Sequence, residues 1–162
     1  MLFRSGAARP YRKHLLARAR HVIAPSADSL ALAGQALGGF TAGTRIRVAY
    51  NGMDVDRIVR EASEPSPLAD LPPDRPCIGM VGNLDWRKNP RCLVEATPAI
   101  RAAVPDVLVL LVGTFPDAES ERRLHDRIVE LGLSDVVRTT GFLSNPFPVV
   151  RQIGRASCRE RV

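Results

Sequence analysis

The chain is poor in lysine, aromatic residues and cysteine. Its 162 residues include 21 arginines but only two lysines, with one tryptophan, two tyrosines and three cysteines. The cysteines form no CxxC pair and no Cys/His cluster of metal-ligand spacing, which excludes a zinc site and a disulfide framework and fits a reducing compartment. No apolar run is long enough for a membrane span, and no signal-peptide core follows the first residues. With 45% hydrophobic and 25% charged residues, the composition is typical of a soluble globular protein.

Both ends of the chain break the pattern of the rest. The final IGRASCRERV resembles one reading frame of a common sequencing-library adapter, and the opening MLFRS resembles another adapter end. We therefore expect residues 1–5 and 152–162 to be adapter-derived; a genuine basic tail is the alternative. Removing the four arginines and one glutamate of these ends lowers the net charge from +6 to +3. The remaining arginines are scattered, so no nucleic-acid partner is expected.

The native part contains two blocks separated by a proline-rich stretch. In the first block, HVIAPS predicts a short buried strand, Ala27 to Leu37 a helix capped by Ser26, and RIRVAYNGMD a second strand, together a β-α-β unit. Residues 60–76 hold five of the 13 prolines and predict a linker. The blocks on its two sides, residues 6–59 and 77–151, are then parts of two domains.

The second block alternates strands with helices. CIGMV, DVLVLLVG and VVRTTGF predict three strands, with one helix from Pro90 to Ala103 and another from Pro116 to Gly132. Pro98 predicts a kink in the first helix or its division into two. This order predicts an α/β fold with a parallel sheet and right-handed crossovers.

Glycine follows each predicted strand of the second block, as Gly82, Gly113 and Gly141. Because ligands bind at the carboxyl ends of parallel strands, we expect the three loops to converge on one rim that forms the site. Tight βα turns without a ligand are the alternative.

The first of these loops, VGNLDWRKNP, places Arg87 and Lys88 just before a helix N-terminus. Backbone N–H groups, the helix dipole and an ammonium group together suit a diphosphate, although an ordinary solvated turn would look the same. Neither GxGxxG nor GxxxxGK[ST] occurs, which disfavours a nicotinamide or flavin domain and a P-loop enzyme.

The order of these segments closely resembles the GT-B glycosyltransferases of family 4, also called glycosyl transferases group 1, from about His21 to Phe147. The resemblance implies Rossmann-like parallel sheets in two domains, here incomplete: the end of the acceptor domain in residues 6–59 and the first half of the donor domain in residues 77–151. It implies a fragment of a retaining, metal-independent enzyme. That enzyme would transfer a sugar from a nucleotide-sugar to an unknown acceptor, whether glycan, lipid or small molecule.

The resemblance also implies donor-binding residues. Gly82 and Lys88 match the donor loop of the family, while Asn83 stands where the family usually has arginine, and Arg87 is the candidate replacement for the lost charge. Gly141 and Phe142 match the loop that approaches the nucleotide base through its backbone. The paired glutamates of the family would lie downstream of this sequence, so the catalytic residues stay unassigned and the fragment is expected to be inactive.

The resemblance implies neither a metal nor another cofactor, since the nucleotide-sugar is a substrate. The expected partners are this donor and the acceptor, and the expected location of the parent protein is the cytoplasm, with peripheral association at the inner face of the membrane left open. Two alternatives remain open. A GT-B nucleotide-sugar 2-epimerase shares the architecture without transfer to an acceptor, and a non-catalytic nucleotide-binding module is favoured by Asn83.

Overall fold

A computed structural model of the chain describes residues 19–40, 42–68, 70–71, 75–153 and 155–156. The expectations for residues 1–18 and 157–162, including most of the adapter-like ends, lie outside this described part. The elements are, in chain order, β1 His21–Ala24, α1 Ala27–Leu37, β2 Arg45–Val48, α2 Val55–Ala62, β3 Cys77–Val81, α3 Pro90–Ala103, β4 Leu108–Val112, α4 Ala118–Glu130, β5 Val137–Gly141, α5 Phe147–Gln152 and β6 Arg155–Ala156.

The chain divides into two compact units, Met1–Met53 and Asp54–Val162. None of the helices in the described part has the length and apolar character that crossing a membrane requires.

The first unit confirms the predicted β-α-β order. Strands β1 and β2 pair in parallel from His21 opposite Arg45 to Ala24 opposite Val48. The Ser26 side chain accepts a 3.0 Å hydrogen bond from the Ser29 N–H, so helix α1 begins with the predicted cap. The prediction that the first strand is buried is wrong, because Ala24 is the one buried residue of β1. Strand β2, for which no burial was predicted, is exposed. Within its described residues this unit has two strands and one helix, too few to cover both faces of a sheet.

The second unit is built on a parallel sheet with the strand order β5-β4-β3-β6. The bounds of β3, α3 and β4 agree with the predicted segments to within two residues. Strand β6 pairs with β3 and lies in the part of the sequence predicted to be adapter-derived. The predicted α/β fold with a parallel sheet is therefore present.

Strand β4 lies at the centre of this sheet, and all five of its residues are buried. Val109 and Leu111 pack on one face, in a cluster that includes side chains of α3 and α4. Leu108, Leu110 and Val112 pack on the other face, in a cluster that includes Val149 of α5. The continuous apolar run of the sequence therefore reflects a strand that helices cover on both sides.

The predicted linker is shorter than residues 60–76. Helix α2, which the sequence patterns did not predict, runs from Val55 to Ala62. It is capped by Asp54, whose carboxylate accepts a 2.9 Å hydrogen bond from the Arg57 N–H. Later in the segment, Leu68 is buried in the core of the second unit. Prolines exclude a regular element from most of the stretch, but burial of a single leucine still fixes it to the sheet.

Helix α3 runs without division through Pro98, so the predicted split into two helices is wrong. A proline inside a helix costs about 3 kcal/mol, because it lacks the N–H and crowds the preceding turn. Here Val94 and Thr97 are fully buried just before it, and the Thr97 hydroxyl donates a 2.8 Å hydrogen bond to the Leu93 carbonyl. Packing of this face against the sheet outweighs the local cost.

Burial of β4 predicts a contrast between two Val→Ala substitutions. Val109 of β4 is 0% exposed, whereas Val129 of α4 is 67% exposed. We expect Val109→Ala to lower the free energy of unfolding by about 2 kcal/mol, from lost transfer energy and a residual cavity. Val129→Ala removes the same atoms from the surface and should change it by less than about 0.5 kcal/mol. Urea unfolding checks both values, and equal losses would contradict the described core.

One carboxylate joins helices α3 and α4. Glu95 accepts two 2.8 Å hydrogen bonds from the Arg127 guanidinium and one of 3.3 Å from Arg91. Arg127, and then Arg91, lower the pKa of Glu95 from 4.5 to about 2. Because the folded-state pKa is the lower one, the pair stabilises the fold above about pH 4.5. That stabilisation is lost as the pH falls towards 2.

We therefore expect Glu95→Gln to lower the melting temperature by about 2 °C at pH 7, the modest effect typical of an exposed ion pair. The difference from the unmutated chain should shrink between pH 4.5 and pH 2. Glu121→Gln on α4 is the control, since Glu121 makes no salt bridge with another described residue. A pH-independent difference in circular dichroism melting would contradict the role of the carboxylate charge.

Candidate functional site

The carboxyl ends of β3, β4 and β5 meet at one rim, as predicted. The Gly82 N–H donates to the Val112 carbonyl at 2.9 Å, and the Gly113 N–H donates to the Gly141 carbonyl at 3.0 Å. A Cβ on Gly113 would collide with the Gly82 carbonyl oxygen, and the φ of Gly113 is +136°. Glycine at position 113 therefore lets two loops approach more closely than any side chain would allow.

The loop after Gly82 is organised around Asp85. Its backbone carbonyl accepts hydrogen bonds from the N–H groups of Lys88 at 3.1 Å and Asn89 at 2.9 Å. Its side-chain Oδ1 accepts from the Arg87 N–H at 2.9 Å and lies 3.4 Å from the Lys88 nitrogen. Four contacts to three successive N–H groups hold residues 85–89 in one tight turn.

The turn brings the Lys88 side chain back over the end of β3. Its Cε lies 3.8 Å from the position that a Cβ on Gly82 would occupy. Directly after Lys88, Asn89 adopts left-handed backbone angles, φ 51° and ψ 61°, and α3 begins at Pro90 without a side-chain cap. The predicted pair Gly82 and Lys88 is thus brought together beside a helix N-terminus, where a negative group is stabilised.

The side chain of Arg87 is held by the carboxylate of Asp85. Its Nε donates to the Asp85 Oδ2 at 2.8 Å, and a second guanidinium nitrogen contacts the same oxygen. This guanidinium, followed by the backbone N–H donors, keeps the pKa of the Asp85 carboxyl below its usual range. Asn83, the other candidate of this loop, is exposed.

The remaining candidates lie at the end of β5. Gly141 has a φ of +71°, and its carbonyl also accepts a 2.9 Å hydrogen bond from the Thr140 hydroxyl. Phe142 is 76% exposed, which is unusual for a large apolar ring. Gly141 belongs to the same rim as Gly82, because Gly113 lies between them and contacts both.

Sequence patterns pointed to the two cations of this loop and passed over Asp85. The spacing Asp-x-Arg-Lys carried a usable signal, since an aspartate that precedes a turn commonly accepts the backbone N–H two residues later. Asp54 and Asp117 instead accept the backbone N–H three residues later, the pattern of a helix cap, and both cap helices.

A second cluster of charges lies at the opposite, amino ends of the strands. A cavity of about 240 Å³ is lined there by residues that include Asp70, Arg75, Asp135 and Arg138. Arg75 donates to the backbone carbonyls of Asp106 and Val107, and Arg138 pairs with Asp70 at 2.6 Å. These contacts tie strand ends together, so we assign the cluster a structural role. In the described part of the chain, no three or more His, Cys, Asp or Glu side chains group in a way that would hold a metal ion.

The parallel sheet and its glycine-lined rim define an α/β protein of the Rossmann-like type. Residues 67–157, more than half of the chain, match the family described as glycosyl transferases group 1. The chain belongs to this family. No curated protein sequence matches it.

Several solved structures share the fold. HepE from Anabaena in complex with UDP has a TM-score of 0.75 and 24% identity over 94% of this chain and 42% of its own. HepE in complex with UDP-glucose has a TM-score of 0.74 and 25% identity, over 94% of this chain and 42% of its own. Sucrose-phosphate synthase from Thermosynechococcus elongatus has a TM-score of 0.72 and 23% identity, over 94% of this chain and 38% of its own. The chain thus spans about two fifths of the length of these proteins.

The close approach at the rim predicts different costs for two glycine substitutions. Gly113 and Gly132 both have positive φ, but an added Cβ meets the Gly82 backbone at Gly113 and open space at Gly132. Gly132→Ala should cost about 1 kcal/mol of stability, from backbone strain alone. Gly113→Ala should cost at least about 2 kcal/mol more, because the clash adds to the strain. Urea unfolding measures the difference, and equal costs would contradict the close approach of the loops.

Proposed function

We propose that the chain forms the donor-side portion of a glycosyltransferase that transfers a sugar from a nucleotide-sugar to an acceptor, with retention of configuration and without a metal. Family membership supports the reaction class, and the resemblance to GT-B enzymes of family 4 supports retention and metal independence. The acceptor site and the catalytic carboxylates belong, in this proposal, to parts of a longer protein.

The position of Lys88 is the observation that carries the proposal. Its side chain lies over Gly82, at the rim where the ends of the three strands meet. When the bond between the sugar and the diphosphate breaks, negative charge grows on the diphosphate that leaves. A positioned ammonium stabilises this charge, and its contribution is greatest in the transition state.

The other rim residues fit a nucleotide diphosphate. Glycines at positions 82 and 141 leave space for close approach to the backbone, and no atom lies near the position of a Cβ on Gly141. The exposed Phe142 ring is available for stacking on a base or sugar. HepE, which has this fold, was solved with UDP and with UDP-glucose, so UDP is the first nucleotide to test.

A non-catalytic nucleotide-binding module is the second candidate. Asn83 favours it, because an uncharged side chain stands where the family usually has a cation. Both candidates bind UDP, so binding alone does not separate them. Sugar transfer from UDP-glucose by the longer protein would support the enzyme, and UDP binding without any transfer or sugar release would support the module.

A charge-matched pair of variants tests the diphosphate site. Lys88→Gln and Arg101→Gln each remove one positive charge, but Arg101 lies at the opposite end of α3, where it pairs with Asp135. We expect Lys88→Gln to weaken UDP binding about tenfold or more, the loss typical of a charge-assisted contact. Arg101→Gln should leave the dissociation constant within about twofold.

Isothermal titration calorimetry at fixed ionic strength measures both dissociation constants, and circular dichroism confirms that each variant is folded. Equal weakening by both variants would show that UDP responds only to net charge. Unchanged binding by Lys88→Gln would contradict the proposed diphosphate site.

A further inference from the structure

We propose that Arg87 shields the charge of Asp85 rather than binding the diphosphate, and that Asp85 is the positioning residue that holds Lys88 over Gly82. This inference rests on the proposed function and deepens it. It assigns opposite charges in one loop to separate tasks, with Asp85 fixing the backbone, Arg87 neutralising Asp85, and Lys88 binding the anion.

Asp85 is positioned to fix the backbone of the loop. Its two acceptor groups, the backbone carbonyl and Oδ1, contact the N–H groups of residues 87, 88 and 89. The direction in which Lys88 leaves the backbone is therefore set by Asp85. Its side chain is only 14% exposed, as expected of a group whose hydrogen bonds are made within the protein.

The same carboxylate is unfavourable for a diphosphate site. Its Oδ1 lies 3.4 Å from the backbone nitrogen of Lys88. A negative charge therefore lies next to the residue that is proposed to bind the diphosphate. Like charges repel, and a diphosphate bound by the side chain of Lys88, three residues along the same turn, would meet this repulsion. A loop that needs the aspartate for its shape therefore needs a cation to offset its charge.

Arg87 supplies that cation. Two of its guanidinium nitrogens contact Oδ2, the oxygen that the backbone N–H groups leave available. The carboxylate thus divides its oxygens between the backbone and Arg87. The Arg87 side chain is 52% exposed, so it is not fixed by burial, and its position follows from Asp85.

Four variants separate a shield from a ligand. If Arg87 is a shield, Arg87→Ala leaves Asp85 unneutralised and weakens UDP binding about fivefold, the factor for one unit charge near 4 Å in water. Asp85→Asn in the Arg87→Ala background then restores the affinity to within about twofold, because the neutral amide keeps the Oδ1 acceptor. Asp85→Asn alone is expected to bind UDP more tightly, because it removes the negative charge and keeps the Oδ1 acceptor. Asp85→Ala in the Arg87→Ala background fails to restore the affinity for UDP, because alanine lacks the Oδ1 acceptor.

Two results would overturn the inference. If Arg87 contacts the diphosphate, the double variant Asp85→Asn/Arg87→Ala binds UDP as weakly as Arg87→Ala. If Arg87→Ala does not weaken binding, no shield is needed. Circular dichroism melting of all variants separates loss of affinity from loss of fold.

A second measurement does not depend on nucleotide binding. The chain has two lysines, Lys13 and Lys88. Pyridoxal 5′-phosphate and uncharged pyridoxal each label lysine side chains, and borohydride traps the adducts. Peptide mapping then measures the labelling of each lysine separately. The ratio of the two labelling rates at Lys88 reports the local potential, with Lys13 as internal reference. We expect Arg87→Ala to lower this ratio about fivefold and the added Asp85→Asn to restore it.

The two experiments distinguish the failure of each proposal. A wild-type chain that does not bind UDP contradicts the proposed function, while the labelling ratio still decides the role of Arg87. A ratio that stays unchanged in Arg87→Ala contradicts the shield, whatever the affinity for UDP.

Discussion

Burial of strand β4 on both faces is the constraint on which the second unit depends. Every side chain of the strand is inaccessible, so its backbone N–H and carbonyl groups have no water to bind and must pair with neighbouring strands. Strands β3 and β5 provide these partners, in parallel and in a defined register. That register places Gly113 between Gly82 and Gly141. The positions of these three glycines are therefore a consequence of the hydrophobic core, whereas contacts of Asp85 shape the loop that carries Lys88.

Two features of the rim are unusual: glycines at the ends of its strands, and an aspartate in a loop that carries two cations. Glycines weaken the ends of strands, and here three of them stand with positive φ at the ends of β3, β4 and β5. An aspartate also lies inside a loop that presents cations to the surface. The glycines cost stability locally, whereas the hydrogen bonds of Asp85 hold its loop together. A ligand would use the open backbone at the glycines and the fixed direction of Lys88. The loop is best understood as one electrostatic unit of three charged side chains.

The main features of the fold could be predicted from the sequence because they follow from local patterns. The apolar run of β4, the cap at Ser26 and the glycines after strands each have a physical cause within a few residues. The failures share a different cause. The continuity of α3 through Pro98 depends on packing of Val94 and Thr97, and the exposure of most of β1 depends on what covers a sheet, neither of which is local.

The candidate site divides in the same way. The residue types and the rim followed from strand order and from family resemblance, so Gly82 and Lys88 could be named from the sequence. The pairing of Arg87 with Asp85 could not, because spacing alone does not say which of two neighbouring cations an aspartate will hold. Helix α2 was missed because its last residues fall in the proline-rich stretch that was interpreted as a linker, although Val55, Ile58, Val59 and Ala62 stand at helical spacing.

The position of Asp54 has a consequence for dissecting the chain into parts. The compact units divide between Met53 and Asp54, and Asp54 caps the first helix of the second unit. Asn145 of the same unit donates hydrogen bonds to the Glu61 carbonyl and the Glu64 carboxylate. A cut in the proline-rich stretch would therefore separate α2 from its partner Asn145 and from the rest of the second unit. A cut before Asp54 would keep them, and would leave a helix that starts with its own cap.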